Sequence, residues 1–282
     1  MHHLKLNEYD GTGFNGSEHY KICAIPIRNH IGNIYKCTQW NCNFILHETC
    51  AYLPRKMWYM LHPHLLELQA CGTGSEICDV CARKFCGFVY TCNEMDCRFE
   101  IDVSCASVSE PFIHTSHPHP LFCTSTSMDE KACSGCKRRE IYNRKKMECI
   151  ECDFALCLRC ISLPSKVRYK QDRHPLVLES GGEEAKDGSW WCKICEGKLN
   201  LGEELYYTCE ICRVTIHLHC ILGKDPLMMP GRYLGEGFEV EANSSCFRPF
   251  SFQCGRRCPS PVCFKKNGEV FCTLRCLWNF RM

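Results

Sequence analysis

The sequence has no apolar run approaching the ~20 residues of a membrane-spanning helix, so no such helix is expected. Its start, Met1-His2-His3-Leu4-Lys5-Leu6-Asn7-Glu8, lacks a basic segment leading into an apolar one. No secretory signal is therefore visible, and an intracellular location in cytoplasm or nucleus is expected. Charge imbalance is also small: 34 Lys and Arg against 32 Asp and Glu leave a formal charge of +2. Composition thus makes no case for nucleic acid or an anionic membrane as partner. What is abundant is cysteine, with 29 in 282 residues. Such a level marks a chain held together by cross-links or metal rather than by one large core. A reducing compartment keeps thiols free, so a patterned Cys/His set there is read as metal-binding, with disulfides the alternative.

The pattern is an internal repeat. Tyr35-Lys36-Cys37, then Cys42-Asn43-Phe44-Ile45-Leu46-His47, then Cys50 recurs as Tyr90-Thr91-Cys92, Cys97-Arg98-Phe99-Glu100-Ile101-Asp102, Cys105. It recurs again as Met147-Glu148-Cys149, Cys152-Asp153-Phe154-Ala155-Leu156-Cys157, Cys160, and as Tyr207-Thr208-Cys209, Cys212-Arg213-Val214-Thr215-Ile216-His217, Cys220. The closing cysteines lie 55, 55 and 60 residues apart, a period that signals an array of small modules. Upstream of each stands a cysteine pair or its remnant: Cys78/Cys81, Cys133/Cys136, Cys192/Cys195, and Cys23 with Tyr20 at the partner position. Each module opens on histidine before an apolar step: His2-His3-Leu4, His62-Pro63-His64-Leu65, His117-Pro118-His119-Pro120-Leu121 and His174-Pro175-Leu176.

Phe44/Leu46, Phe99/Ile101, Phe154/Leu156 and Val214/Ile216 alternate as a short strand with one buried face does. They are read as the small core of each module. Roughly 50 residues bury too little surface to fold securely, so metal must supply part of the folding free energy. A Cys-x2-Cys turn aims two thiolates at one point, and a second pair or a His-x2-Cys completes a tetrahedron. One pair alone is a weak signal, since it also serves redox chemistry. The repeated set is strong, and cleanest in Cys192-x2-Cys195-x13-Cys209-x2-Cys212-x4-His217-x2-Cys220.

This spacing resembles the phorbol-ester/diacylglycerol-type zinc finger of protein kinase C. The His-Pro-His-Pro-Leu openings and the short Phe-x-Leu strands resemble its plant relatives, the cysteine/histidine-rich divergent C-one domain proteins. The resemblance covers nearly the whole chain and implies small β-rich modules, each with two interleaved zinc sites. The first type of site would take Cys78, Cys81, Asp102 and Cys105 in the second module, Cys133, Cys136, Cys157 and Cys160 in the third, and Cys192, Cys195, His217 and Cys220 in the fourth. Asp102 and Cys157 stand where the fourth module has His217, and both carboxylate and thiolate ligate zinc. The first module keeps Cys23, His47 and Cys50, with Tyr20 or His19 in the fourth place.

The second type of site would take His64, Cys92 and Cys97, closed by His114, in the second module. In the third it would take His119, Cys149 and Cys152, and in the fourth His174, Cys209 and Cys212. The closing ligand stays open in both, with Asp172 a candidate for the third. The first module offers Cys37 and Cys42 with His2 or His3, as a degenerate or truncated finger.

The expected modules are 1–57, 58–114, 115–168 and 169–225, followed at 226–282 by a linker and cysteine-rich tail. The linker reading rests on Pro226, Pro230, Gly231, Gly235 and Gly237. Similar tails follow the repeats in the family, usually with cysteine where Ser251 stands, and Cys254, Cys258, Cys272 and Cys276 are expected to form one more site. About six zinc ions, within a range of roughly five to eight, would then be bound. Cys71, Cys86, Cys123, Cys246 and Cys263 fit no site and read as free thiols. Lys137, Arg138, Arg139, Arg144, Lys145 and Lys146 read as a solvated hairpin rather than a nucleic-acid contact. Trp190 and Trp191 read equally as a partner surface or as packing on the fourth finger.

The function expected is a non-enzymatic adaptor that binds other proteins, and the resemblance implies roles in signalling and in stress or hormone responses. A catalytic zinc keeps an open position beside a general base, whereas these sets are closed. Thiol–disulfide exchange is the enzyme alternative, but it needs a low-pKa thiol at a helix start in a βαβ setting, and no such pattern is present. A cross-braced ubiquitin-ligase finger has no place for the opening His-Pro-His-Pro-Leu. The lipid alternative needs a Gln-bearing apolar loop between the cysteine pairs. Residues 196–204 are acidic and lack glutamine, which argues against diacylglycerol binding.

Overall fold

The computed structural model describes residues 2–8, 23, 32–71, 76–125, 131–139, 145–169, 172–180, 190–200, 205–243 and 248–280. Each repeat is a small antiparallel sheet ending in a four-residue helix that carries the closing cysteine. The first pairs Leu4–Asn7 with Ile34–Cys37 and that strand with Ile45–His47, before helix Glu48–Ala51. The second runs Lys56–Tyr59, His62–Ala70, Phe88–Cys92 and Glu100–Asp102 in neighbouring order, then helix Val103–Ala106. The third pairs Leu121–Ser125, Lys145–Cys149 and Ala155–Cys157, then helix Leu158–Ile161. The fourth orders Lys166–Arg168, Pro175–Ser180, Leu205–Cys209 and Val214–His217, then helix Leu218–Ile221. Strands Lys56–Tyr59 and Lys166–Arg168 pair forward, so the second and fourth sheets begin upstream of residues 58 and 169.

The register repeats with the sequence. Leu4 faces Cys37, Leu66 faces Cys92 and Leu121 faces Cys149, while Val177 faces Thr208, one step from Cys209. A one-residue slip would turn every side chain to the other face, so the buried Leu66 and Leu121 fix where Cys92 and Cys149 point. Leu66, Tyr90, Ile101, Leu121, Met147, Leu156, Leu176, Tyr207 and Ile216 form the centres, joined into one apolar cluster across the four repeats. Hydrogen bonds also cross between repeats: Arg83 Nη1 donates to Ser162 Oγ at 3.2 Å, and Leu205 N donates to the Gly135 carbonyl at 2.9 Å.

The stretch read as a linker is part of a fifth sheet. Tyr233–Leu234, Phe238–Ala242, Val262–Lys266 and Glu269–Phe271 pair in order and are followed by helix Leu274–Asn279. Gly237, at φ +76°, turns the chain between the first two strands, and Phe238, Val240, Phe264 and Phe271 pack beneath them. Glycine here marks a hairpin rather than a spacer. Cys86 joins this second core, and its N–H donates to the Leu227 carbonyl at 2.9 Å.

Lys137, Arg138 and Arg139 are exposed, but Lys146 is buried and its ammonium donates to the Lys131 carbonyl. The basic cluster is therefore split between surface and interior, and Arg144 lies outside the described residues.

Candidate metal centres

The first cysteine pair of each module forms the same tight turn. Cys78 N, Cys133 N and Cys192 N donate to the Arg83, Arg138 and Gly197 carbonyls at 3.0, 3.0 and 2.9 Å. Ala82, Lys137 and Glu196, each just after the second cysteine, have positive φ and donate N–H back to the first cysteine's carbonyl. Opposite this turn the last strand of the sheet ends on the N-cap residue of the short helix, and the closing cysteine follows three residues later. Residues three apart share a helix face, so both side chains point back at the turn.

Four donor atoms thereby converge in each of three modules: Cys78, Cys81, Asp102 and Cys105; Cys133, Cys136, Cys157 and Cys160; Cys192, Cys195, His217 and Cys220. Within each set they lie within 4.8 Å of one another. Asp102 is buried and does two things. Its Oδ1 accepts from Ser104 N and Cys105 N at 2.9 and 3.0 Å, capping the helix, while Oδ2 lies 3.4 Å from Cys81 Sγ. His47, Cys157 and His217 hold the same position without a side-chain cap. His217 Nε2 lies 3.1 Å from the Lys198 carbonyl, which can only accept, so Nε2 carries the proton and Nδ1 is left bare toward the sulfurs.

The second set differs from the expectation at its closing ligand. In the second module His62, His64, Cys92 and Cys97 converge, and in the third His117, His119, Cys149 and Cys152. His114 stays out of that set, with its Nδ1 2.7 Å from Ser116 Oγ. Both histidines of each opening pair are used because residues two apart on an extended chain share a face. The first presents Nε2 (His62 to Cys97, 3.6 Å; His117 to Cys152, 3.5 Å) and the second Nδ1 (His64 to Cys92, 3.5 Å; His119 to Cys149, 3.6 Å). In the fourth module Asp172 replaces the first histidine. It lies 2.7 Å from Cys212, with His174 Nδ1 at 3.0 Å from the same sulfur and Cys209 beside it. Asp172 thus belongs to the fourth module and not the third. The half-buried Phe99 and Phe154 stack on His62 and His117 at 4.2 and 4.1 Å, so they wall the second centre as well as the core.

In the first module Cys23 and Cys50 lie 3.1 and 3.5 Å from His47 Nδ1, while Tyr20 and His19 lie outside the described residues. Cys42 lies 3.3 Å from His2 Nδ1, and His2 stacks on Phe44 at 4.0 Å. Cys37 faces Cys42 across the same turn; burial pushes its thiol up, but the Gln39 backbone and then Cys42 bring it below the ordinary value.

The tail repeats the first-pair turn with serine in place of the leading cysteine. Ser251 N donates to the Arg256 carbonyl and Gly255 N, at φ +64°, donates to the Ser251 carbonyl, both at 2.8 Å. Cys254 and Cys276 lie 3.6 and 3.5 Å from Cys272, and the buried Cys258 bonds to it as well. The missing thiolate is thus supplied by Cys258, four residues on. Of the remaining cysteines, Cys71 is buried with its thiol 2.8 Å from Glu76 Oε2, Cys263 is buried and Cys123 half-buried. Cys246 lies outside the described residues.

These distances fit zinc. Arms of about 2.3 Å to sulfur and 2.05 Å to nitrogen give tetrahedron edges of about 3.8 Å between sulfurs and about 3.5 Å between sulfur and nitrogen. Cys136 and Cys157 sulfurs are 3.8 Å apart, and the sulfur–nitrogen separations of the second centres are 3.5–3.6 Å in the second and third modules, against 3.0 Å from His174 to Cys212 in the fourth. A disulfide needs about 2.05 Å, and every described cysteine is a free thiol. Crowding splits the thiols within a set, lowering one while raising its neighbours. The Cys220 thiol holds Cys192 down at about 4, and Cys258 does the same for Cys272. Burial, with the nearby Cys81, pushes the Asp102 carboxyl up to about 6. A buried carboxylate among thiolates is an arrangement that a dication at the centre relieves.

The chain order of ligands in the second module is His62, His64, Cys78, Cys81, Cys92, Cys97, Asp102, Cys105, so the two centres alternate along the sequence. A family model described as the C1 domain matches residues 60–106 and 170–221, and one for a C-terminal C1-like domain matches residues 238–277. Neither a curated protein nor a solved structure matches the chain significantly. The third repeat, outside the matched residues, carries the same two ligand sets as the second. The chain thus carries two C1 domains and a C1-like C-terminal domain, and its clustered Cys/His groups are suited to zinc.

Proposed function

We propose that the chain is a non-enzymatic adaptor whose zinc-stapled modules present fixed surfaces to protein partners. One repeated feature carries this reading. At the turn between the second cysteine pair, each of the four repeats raises one large apolar side chain into solvent. These are Trp40, Met95, Ile150 and Ile211, at 93, 92, 75 and 75% exposure. One exposed apolar residue needs no explanation. Four at the same place, each pinned between two metal-directed cysteines, mark a presented element. Trp190 and Trp191, exposed on the short strand before Cys192, add to the apolar surface of the fourth module.

The non-enzymatic part rests on closure. Five sets bring four protein donors each to one point, and a closed tetrahedron leaves no position for substrate. The Asp172/His174/Cys209/Cys212 set and the tail set add two candidates, for seven candidate centres. When bound, zinc supplies cross-linking rather than chemistry. The chain's own residues position the ligands, and the Lys198 carbonyl fixes the His217 tautomer.

The test replaces the tips together, as Trp40→Ser, Met95→Ser, Ile150→Ser and Ile211→Ser, in the full zinc-loaded chain. Zinc content should not change, while proximity labelling should lose the partners that the unaltered chain marks. An unchanged partner set would sink the tips as the binding element. Zinc-loaded protein should also fail to reduce insulin disulfides, and turnover would restore the oxidoreductase alternative.

A further inference from the structure

Between the fourth module and the tail lies a cleft of about 730 Å³. Five cations line it: Lys224, just past the helix Leu218–Ile221, and Arg248, Arg256, Arg257 and Arg275 from the tail. Glu196 is the single carboxylate in the lining. Among the described residues, none of the five cations forms an ion pair. Elsewhere the chain does pair its lysines, Lys131 with Asp153 and Lys265 with Glu241, each at 3.0 Å. The concentration here is therefore not a general habit of the surface.

The walls are held in place from both sides. Ser260 Oγ donates to the His219 carbonyl at 3.5 Å and Leu274 N to Asp225 Oδ2 at 3.2 Å, tying the tail to the fourth module. Arg257 lies over the Phe250 ring at 4.5 Å and donates through Nη1 to the Arg248 carbonyl at 3.1 Å, which leaves its other guanidinium donors free to act. The metal-directed Cys195, Cys254, Cys272 and Cys276 form part of the lining. With zinc bound, the three-thiolate centre carries one negative charge and the four-thiolate centre two. Counting those and Glu196, the cleft still keeps a positive balance.

We propose that this cleft binds a compact ligand bearing two or more phosphate groups. Guanidinium forks match phosphate oxygens in pairs, and a phosphate brings close to two charges at neutral pH. The volume lies within the ~300–1,000 Å³ of small-molecule sites and exceeds what a single phosphate would fill. The ligand is either a free polyphosphate or the headgroup of a phosphorylated lipid.

The experiment titrates the full zinc-loaded chain with inorganic pyrophosphate, and in parallel with phosphatidylcholine vesicles that do or do not contain a bisphosphorylated inositol lipid. Saturable binding near one per chain is expected, weakening as salt rises. Arg256→Glu with Arg275→Glu should raise the dissociation constant at least tenfold. Both flank zinc-directed cysteines, so Lys224→Glu, outside those turns, provides the second variant and should weaken binding severalfold at full zinc content. Pyrophosphate binding supports a soluble ligand, and binding of the inositol-lipid vesicles alone supports a headgroup. Binding of neither, or binding unmoved by all three substitutions, overturns the proposal. So does a variant set that loses zinc while pyrophosphate binding is unchanged, since the cations would then serve only to offset the thiolates.

Discussion

Asp102 is where ligand and helix cap coincide, and three substitutions separate the two roles. Asp102→Asn keeps the volume and an oxygen for Ser104 N and Cys105 N, but offers a neutral amide to the metal. Asp102→His restores the donor that His217 supplies in the fourth module but loses the cap, because His217 makes none. Asp102→Ala loses both. A lost cap costs about 1 kcal/mol, within roughly 0.5–2. A lost donor in a structural zinc site costs far more, since such sites contribute on the order of 10 kcal/mol to folding in finger peptides. The residue is 2% exposed, so water cannot readily take the donor's place.

Zinc retained against a competing chelator should therefore fall in the order wild type, His, Asn, Ala. The histidine variant should keep every ion and lose about 1 kcal/mol of stability. The alanine variant should lose one ion and become protease-sensitive within residues 76–108. If Asp102→Ala keeps its full zinc complement and loses only that ~1 kcal/mol, Asp102 is a cap and the second module's first centre is wrongly assigned.

Elemental analysis of the purified chain should give close to seven zinc ions; fewer than about three would undo the repeat assignment, and chelation should abolish near-UV dichroism because metal carries much of the folding free energy. His62→Ala should release one ion while His114→Ala releases none, and the reverse result would restore His114 as the closing ligand. Gly135→Ala places a methyl 2.7 Å from Leu205 Cδ1 and 3.2 Å from Cys160 Sγ, so it should cost about 1–3 kcal/mol. Hydrogen exchange should localise that loss to the join of the third and fourth modules, and uniform protection there would refute the contact's importance.

Much of this was written in cysteine spacing. A pair separated by two residues dictates its own turn, and a ligand three residues before the closing cysteine shares its helix face; that the two meet in one set was implied by the resemblance. The second type depends on strand register across tens of residues. His62 and His117 were visible as residues, but only pairing of Leu66 with Cys92 and Leu121 with Cys149 shows that both histidines of each opening reach the sulfurs. Their shared spacing of two was the available signal, and Asp172-x-His174 carries it too, under a different residue type. The tail hairpin was masked by its glycines, which read as breakers until Phe238 and Val240 are seen buried beside them. That Ser251 stands in a cysteine's place came from the family resemblance; that the turn there keeps the same form is a backbone fact.

The alternation of ligands along each module has a consequence during synthesis. The last ligand of the second centre precedes the last ligand of the first by eight residues in every repeat: Cys42 and Cys50, Cys97 and Cys105, Cys152 and Cys160, Cys212 and Cys220. Neither centre can therefore close until the module is almost fully made, and the two then become completable nearly together. A nascent module passes from having no finished metal site to having both within the emergence of about two or three turns' length of chain. The interval between completion of the two centres is set by how quickly the ribosome delivers those final eight residues, roughly a second at ordinary elongation rates.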